Sequence, residues 1–133
     1  MKGQCLCQAV TLETSENHQL NACHCVNCRT WSGSAEFTFL SQGIKTDNSD
    51  HITHYPSSEW AERAFCKTCG THLYVRVIGT EDYYVSAGLF NDVEFNLSSQ
   101  IFIDHKANYY SLADDTPKVT SQEFFAILEN GCK

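Results

Sequence analysis

A chain of 133 residues with 42% apolar and 19% charged content has the composition of one globular domain with an ordinary hydrophobic core, not of a disordered segment. Its formal net charge of −7 excludes the clustered cations on which a nucleic-acid backbone binder depends. It shows neither an apolar secretory leader nor the roughly 18 consecutive apolar residues of a membrane span, so the expected setting is cytoplasmic, with no membrane or nucleic-acid partner.

The elements read mainly as strands. "QAVTLET" alternates, with Val10 and Leu12 on one face. "AEFTFL" alternates, with Phe37 and Phe39 on one face. "ERAFC", "THLYVRV" and "DYYVSA" are rich in aromatic and β-branched residues, which suit a pleated surface. "IFIDH" adds a short strand with Ile101 and Ile103 together. Between them lie the turn signals "SQG", "DNSD", "YPSS" and "LFNDVEF". Short helical turns fit after Cys28. The convincing helix is "TSQEFFAILEN", with Thr120 or Ser121 as cap, Glu123 early, Phe124, Ile127 and Leu128 apolar, and Gly131 just past its end. The expected fold is mainly β: a single domain of antiparallel sheets over residues 1–133, stapled by metal, with a short C-terminal helix.

Eight cysteines are present, and seven fall into groups. Cys5 and Cys7 form Cys-x-Cys. Cys23, Cys25 and Cys28 form Cys-x-Cys-x-x-Cys. Cys66 and Cys69 form Cys-x-x-Cys, followed by Gly70. An even number permits disulfides, but such close neighbours make poor bridges to each other, and cytoplasmic thiols stay reduced. Metal ligation is the preferred reading, with Cys132 an incidental thiol at the chain end. On a strand, residues two apart point the same way, so Cys5 and Cys7 can aim at one ion. "FCKTCG" reads as a zinc knuckle, with Gly70 tolerating the twist of the turn. Together these pairs supply four thiolates, as a closed structural zinc site requires.

Cys23, Cys25 and Cys28 remain. Three protein ligands with one open position is the pattern of a catalytic zinc. The open position suits a thiol, because zinc favours sulfur, and zinc can also polarise a carbonyl. Spacing alone leaves two alternatives open: a histidine closing the second site, or a single zinc with idle thiols. His24 is nearest, although alternation turns it away from Cys23 and Cys25. His72 reads as a strand side chain, and His18, His51 and His54 as surface or turn residues.

Gly3-x-Cys5-x-Cys7, Cys23-His24-Cys25-x-x-Cys28-Arg29 and Cys66-x-x-Cys69-Gly70-Thr71 resemble the glutathione-dependent formaldehyde-activating enzyme family, which includes centromere protein V-like proteins. The likeness extends through "VSAGLFND" and "IFIDHKANYYSLADDTP", to about Pro117. Asn108-Tyr109 stands where the family often carries Pro-Trp. The resemblance implies two zinc ions per chain: a structural one on Cys5, Cys7, Cys66 and Cys69, and a catalytic one on Cys23, Cys25 and Cys28. It also implies a carbon–sulfur lyase that forms or cleaves S-hydroxymethylglutathione from formaldehyde and glutathione. The competing readings are a non-catalytic zinc-stabilised binding module and the same scaffold acting on another small thiol or aldehyde.

Glutathione carries two carboxylates, and in an acidic protein Arg29 and Lys106 are the candidate cations to hold them. His105 is a candidate pocket residue. Backbone donors of "WSGSAEF" at Ser32, Gly33 and Ser34 could bind an oxyanion, although a plain turn is the simpler reading. Trp31, Phe37, Tyr74 and Tyr109 belong to a pocket or to the core. The exposed edges of a β domain leave the oligomeric state open.

Overall fold

The computed structural model describes residues 1–131, so Cys132 lies outside the described residues. In chain order the strands begin with β1 (Lys2–Gln4), β2 (Thr11–Thr14), β3 (Gln19–Cys23), β4 (Glu36–Gln42) and β5 (Ile44–Thr46). They continue with β6 (Ile52–Pro56), β7 (Ala61–Cys66), β8 (His72–Val77), β9 (Asp82–Ser86), β10 (Asn96–Ile101) and β11 (Lys118–Val119). The helices are α1 (Val26–Ser32) and α2 (Ser121–Gly131). The fold class is therefore mainly β with a short C-terminal helix, as the patterning predicts. The chain divides into two compact units, each made of two separated stretches.

The first unit comprises Met1–His18 and Thr38–Phe95. It holds two antiparallel ladders, β1–β2–β5 and β4–β9–β8–β7–β6. Gly43 (φ +76°) and Gly79 (φ +83°) make the turns into β5 and out of β8, where a side chain would be strained. Val10, Leu12, Phe39, Leu73 and Val85 are wholly buried. Each such side chain contributes about 1.5–3 kcal/mol by leaving water. The Phe39 ring meets Phe90 edge-on at 5.2 Å and stacks on Phe95 at 5.3 Å. The predicted pairing of Val10 with Leu12 holds. Phe37 and Phe39 both lie in β4, but only Phe39 is buried: Phe37 is 39% exposed and precedes the β9 ladder, whose first pair is Thr38 with Ser86.

The second unit comprises Gln19–Phe37 and the chain from Asn96 on. Here β10 lies parallel to both β3 and β11, a parallel portion within an otherwise antiparallel arrangement. "IFIDH" is not a strand. β10 stops at Ile101, Phe102 turns through φ +55°, and Ile103–His105 form a 3₁₀ turn. A bulky residue in that left-handed region is costly and persists where its surroundings hold it. The buried Phe102 ring is held against Phe124 at 5.1 Å and Phe125 at 5.6 Å. α2 starts with the predicted capping box: Glu123 N–H donates to Thr120 Oγ1 at 3.2 Å, and Thr120 N–H to Glu123 Oε1 at 3.0 Å. Of its predicted apolar face only Phe124 is buried; Leu128 is half-buried, and Ile127 is exposed.

Candidate functional site

The first unit carries the four-cysteine cluster. Cys5 and Cys7 lie on the turn after β1 and not on a strand, which corrects the alternation argument. Cys5 N–H bonds Val10 O at 3.0 Å, and Gln8 N–H bonds Cys5 O at 3.0 Å. Gln8 itself sits at φ +68°. This tight loop brings the two sulfurs together as alternation would have. Opposite it, Cys66 ends β7 and the predicted knuckle follows. Gly70 N–H bonds Cys66 O at 2.9 Å, Cys66 N–H bonds Thr71 O at 2.9 Å, and Gly70 takes φ +76°.

Cys5 Sγ lies 3.6 Å from Cys7 Sγ, which lies 3.7 Å from Cys66 Sγ, and all four sulfurs fall within 4.8 Å of one another. A tetrahedron with zinc–sulfur bonds of about 2.3 Å has edges of roughly 3.8 Å, so the residues fit such an ion. Thr71 ties the halves together: Leu6 N–H donates to its Oγ1 at 3.1 Å, and that hydroxyl lies 3.1 Å from Cys69 Sγ. The Thr71 hydroxyl, with backbone amides, lowers the Cys69 thiol to about 5. At Cys7 an amide bond from Ala9 pulls downward, but burial and the neighbouring thiols carry it up to about 12. One proton leaves such a cluster readily and the last is held, unless a cation compensates the accumulating charge.

The second unit carries the three-cysteine cluster, whose sulfurs also lie within 4.8 Å of one another. Cys23 ends β3. Cys25 is the N-cap of α1, and its sulfur accepts from Cys28 N–H at 3.2 Å. The helix therefore begins before Cys28 and not after it, and its first turn folds Cys28 back over Cys25. It ends at Gly33 (φ +84°), whose N–H bonds Arg29 O at 2.8 Å. Ser32 Oγ donates to Cys28 O at 2.7 Å. The Ser32–Gly33 donors thus serve the end of α1, as a plain turn would. The Cys28 thiol is pushed far up, chiefly by Cys23 and Cys25, then by burial and by the charge of buried Glu36. Crowding with Cys25 likewise takes Cys23 up to about 12.

His24 is wholly buried and both ring nitrogens are engaged. Nδ1 lies 2.7 Å from Tyr110 Oη, and Nε2 lies 2.8 Å from Gln100 Oε1. Gln100 Nε2 in turn donates to Thr116 Oγ1 at 3.1 Å. This removes His24 as a metal ligand. Burial pushes its pKa down, against the bond to Gln100, and the charges of Lys106 and Arg29 push it further. Gln100 and Tyr110 were not candidates in the sequence: only the register of β10 beside β3 and the loop after Lys106 bring them to His24.

Arg29 Nε donates to His24 O at 3.1 Å. Lys106 donates to the carbonyls of Ala107 (2.9 Å) and Tyr110, and its ammonium lies 5.2 Å from the centre of the Tyr110 ring. Both predicted cations therefore surround His24 and Tyr110, each with part of its donor capacity already used. His105 instead sits beside Asp104, Nε2 to Oδ2 at 3.7 Å, with its ring edge-on to Phe102. Tyr74 is a buried residue of the first unit, hydrogen-bonded to His54 at 2.8 Å, whereas Tyr109 is 72% exposed. No helix among the described residues is long and apolar enough to cross a membrane.

Residues 1–105 match the family described as glutathione-dependent formaldehyde-activating enzyme. The chain is 36% identical over 126 residues to an uncharacterised lyase of Schizosaccharomyces pombe, covering 92% of each. A crystal structure of a Rhodobacter sphaeroides protein superposes with a TM-score of 0.60 at 24% identity, over 71% of this chain and 91% of that one; it supports the fold alone.

Proposed function

The chain belongs to the glutathione-dependent formaldehyde-activating enzyme family, and from that premise we propose that it is a zinc-dependent carbon–sulfur lyase. Its substrate is a thiol–aldehyde adduct such as S-hydroxymethylglutathione, and residues 1–133 work as one zinc-binding domain. Supporting this is a lyase-named relative that shares 92% of its length with this chain. The observation that carries the reading is the three-cysteine cluster beside a histidine that cannot complete it, since both His24 nitrogens are committed to Tyr110 and Gln100.

In the forward direction the thiol sulfur bonds to the aldehyde carbon, the carbonyl pair moves to oxygen, and the thiol proton ends on that oxygen. Cleavage reverses each change, and neither direction needs an oxidant or reductant. A zinc ion held by Cys23, Cys25 and Cys28 would supply thiolate stabilisation and Lewis acidity there. The chain's own residues do the rest. Cys25 caps α1 and so fixes the position of Cys28. Burial of Cys23 and Cys28 keeps water from two sides of the cluster. Arg29 and Lys106 give an otherwise acidic protein two cations close to His24, suited to glutathione carboxylates. Cys5, Cys7, Cys66 and Cys69 would hold a second, structural zinc.

The test is NMR exchange between formaldehyde plus glutathione and their adduct, with and without zinc-loaded protein. Acceleration that disappears in Cys28→Ser is the expected result. No acceleration with two zinc ions bound would reject this reaction and favour another thiol or a binding role.

A further inference from the structure

Residue 24 stands between two of the three cysteines, so whatever fixes it restricts where Cys23 and Cys25 place their sulfurs. Every polar group of His24 is engaged. Its N–H donates to Ile101 O at 3.0 Å, extending the parallel ladder in which Cys23 faces Ile101. Its carbonyl accepts from Arg29 Nε at 3.1 Å, a bond that closes the loop holding Cys25 and Cys28. Its ring is held between Tyr110 Oη on Nδ1 and Gln100 Oε1 on Nε2. These partners are themselves tied. Gln100 spends its amide nitrogen on Thr116 Oγ1 and turns its oxygen, an acceptor only, to the ring. Lys106 donates to the Tyr110 carbonyl and covers the Tyr110 ring. His24, Gln100 and Thr116 are buried, and a buried polar chain satisfied at each member specifies one arrangement. Through the cap from Cys28 N–H to Cys25 Sγ, that arrangement extends to the third cysteine.

We propose that His24 is the positioning residue of the three-cysteine site: its network holds Cys23, Cys25 and Cys28 at metal-binding spacing, so metal retention there depends on a side chain that does not itself ligate. This rests on the reading of the three cysteines as a metal site, which the spacing of their sulfurs, all within 4.8 Å of one another, supports. Ligands held in place beforehand lose less freedom on binding than ligands the ion must gather. Partners behind the ligands typically change metal affinity about 10- to 100-fold. The four-cysteine cluster is the internal control, because none of the residues of the His24 network belongs to the unit that carries it.

The test is chelator competition on the zinc-loaded protein, with Cys28→Ser identifying the release step that belongs to the three-cysteine site. His24→Leu fills the space but removes both ring bonds. It should weaken zinc retention at that site by about 10- to 100-fold and leave the four-cysteine site unchanged. Tyr110→Phe removes one bond at a half-buried position and should weaken the same step roughly three- to tenfold. A role in folding alone would weaken both sites together. Unchanged retention at the three-cysteine site in either variant, or equal weakening of both sites, overturns the proposal. Where His24→Leu does not fold, Tyr110→Phe decides. Unmodified protein that binds zinc at the four-cysteine site only would overturn the metal-site reading and the proposal with it, whereas normal retention in the variants overturns the proposal alone. Retention is read without turnover, so the exchange experiment succeeds or fails separately.

Discussion

The amide of Cys28 donates to the sulfur of Cys25 at 3.2 Å, so a metal-ligand candidate occupies the capping position that serine, threonine or aspartate usually fills. A serine at position 25 retains the cap and removes the thiolate. Cys25→Ser should therefore unfold within about 1 kcal/mol of the unmodified protein while losing one metal ion, whereas Cys25→Ala should lose about 0.5–2 kcal/mol more. Cys5→Ser should lower the unfolding transition much further, because structural zinc sites supply folding free energy directly. Thermal unfolding with metal quantification measures all three. Equal transitions for Cys5→Ser and Cys25→Ser would end the division into structural and catalytic sites.

Thr71 accepts from Leu6 N–H and sits 3.1 Å from Cys69 Sγ, joining the two loops of the four-cysteine cluster. Outer-shell partners of this kind typically change metal affinity about 10- to 100-fold. Thr71→Val should weaken zinc retention at this site by that factor in a chelator competition, and leave retention at the three-cysteine site unchanged. Equal retention by both proteins would show that the thiols alone set the affinity.

The cysteine spacing revealed both clusters because sulfur ligation leaves little freedom in which residue types can serve. What the spacing did not reveal was the backbone that delivers them. Alternation explained Cys5 and Cys7 plausibly, yet a turn closed by Gln8 at φ +68° brings their sulfurs together. The buried partners of His24 were hidden for a different reason. Gln100 and Tyr110 are 76 and 86 residues away, and parallel pairing of β10 with β3 has no local signature. Phe102 shows the same limit. "IFIDH" has the alternation of a strand, but packing of the Phe102 ring against α2 imposes a left-handed backbone that no local preference favours.

Gln100→Leu should leave His24 Nε2–H without its acceptor in a site with no water access. An unsatisfied buried donor costs about 1–3 kcal/mol. Denaturant unfolding of the zinc-loaded protein should show a loss of that size, with a broadened or shifted His24 imidazole resonance. An unchanged midpoint would mean that the network is not closed as the distances imply.

The Asp104 carboxylate accepts from Ser121 N–H at 2.7 Å and Ser121 Oγ at 2.6 Å, and these bonds lower its pKa. The Thr120 backbone and hydroxyl lower that of Glu123. For a depressed carboxylate the stabilisation is complete above its unfolded value and disappears as pH falls through the lower folded one. Docking of α2 should thus weaken only below the ordinary carboxylate values of 3.8 and 4.5. Amide protection in α2 should fall off over that window, and less steeply in Asp104→Asn. A loss of protection already near pH 6 would assign the dependence to other groups.

Gly3 opens the first cysteine motif for a steric reason. A Cβ there would lie 2.8 Å from Leu89 O and 2.9 Å from two atoms of the Phe90 ring. The carbonyl is backbone and cannot rotate away, and Phe90 is itself buried against Phe39. Gly3→Ala must therefore shift β1, which carries the chain directly into Cys5. Overpacking of this kind costs about 1–3 kcal/mol. Gly88 provides the control: a Cβ there meets nothing within 4 Å, so Gly88→Ala should be nearly neutral. Beyond the stability loss, Gly3→Ala should release zinc from the four-cysteine site at lower chelator concentration, because the displaced strand moves two of its four ligands. Loss of stability without earlier zinc release would show that the Cys5–Cys7 loop keeps its geometry independently of the strand before it.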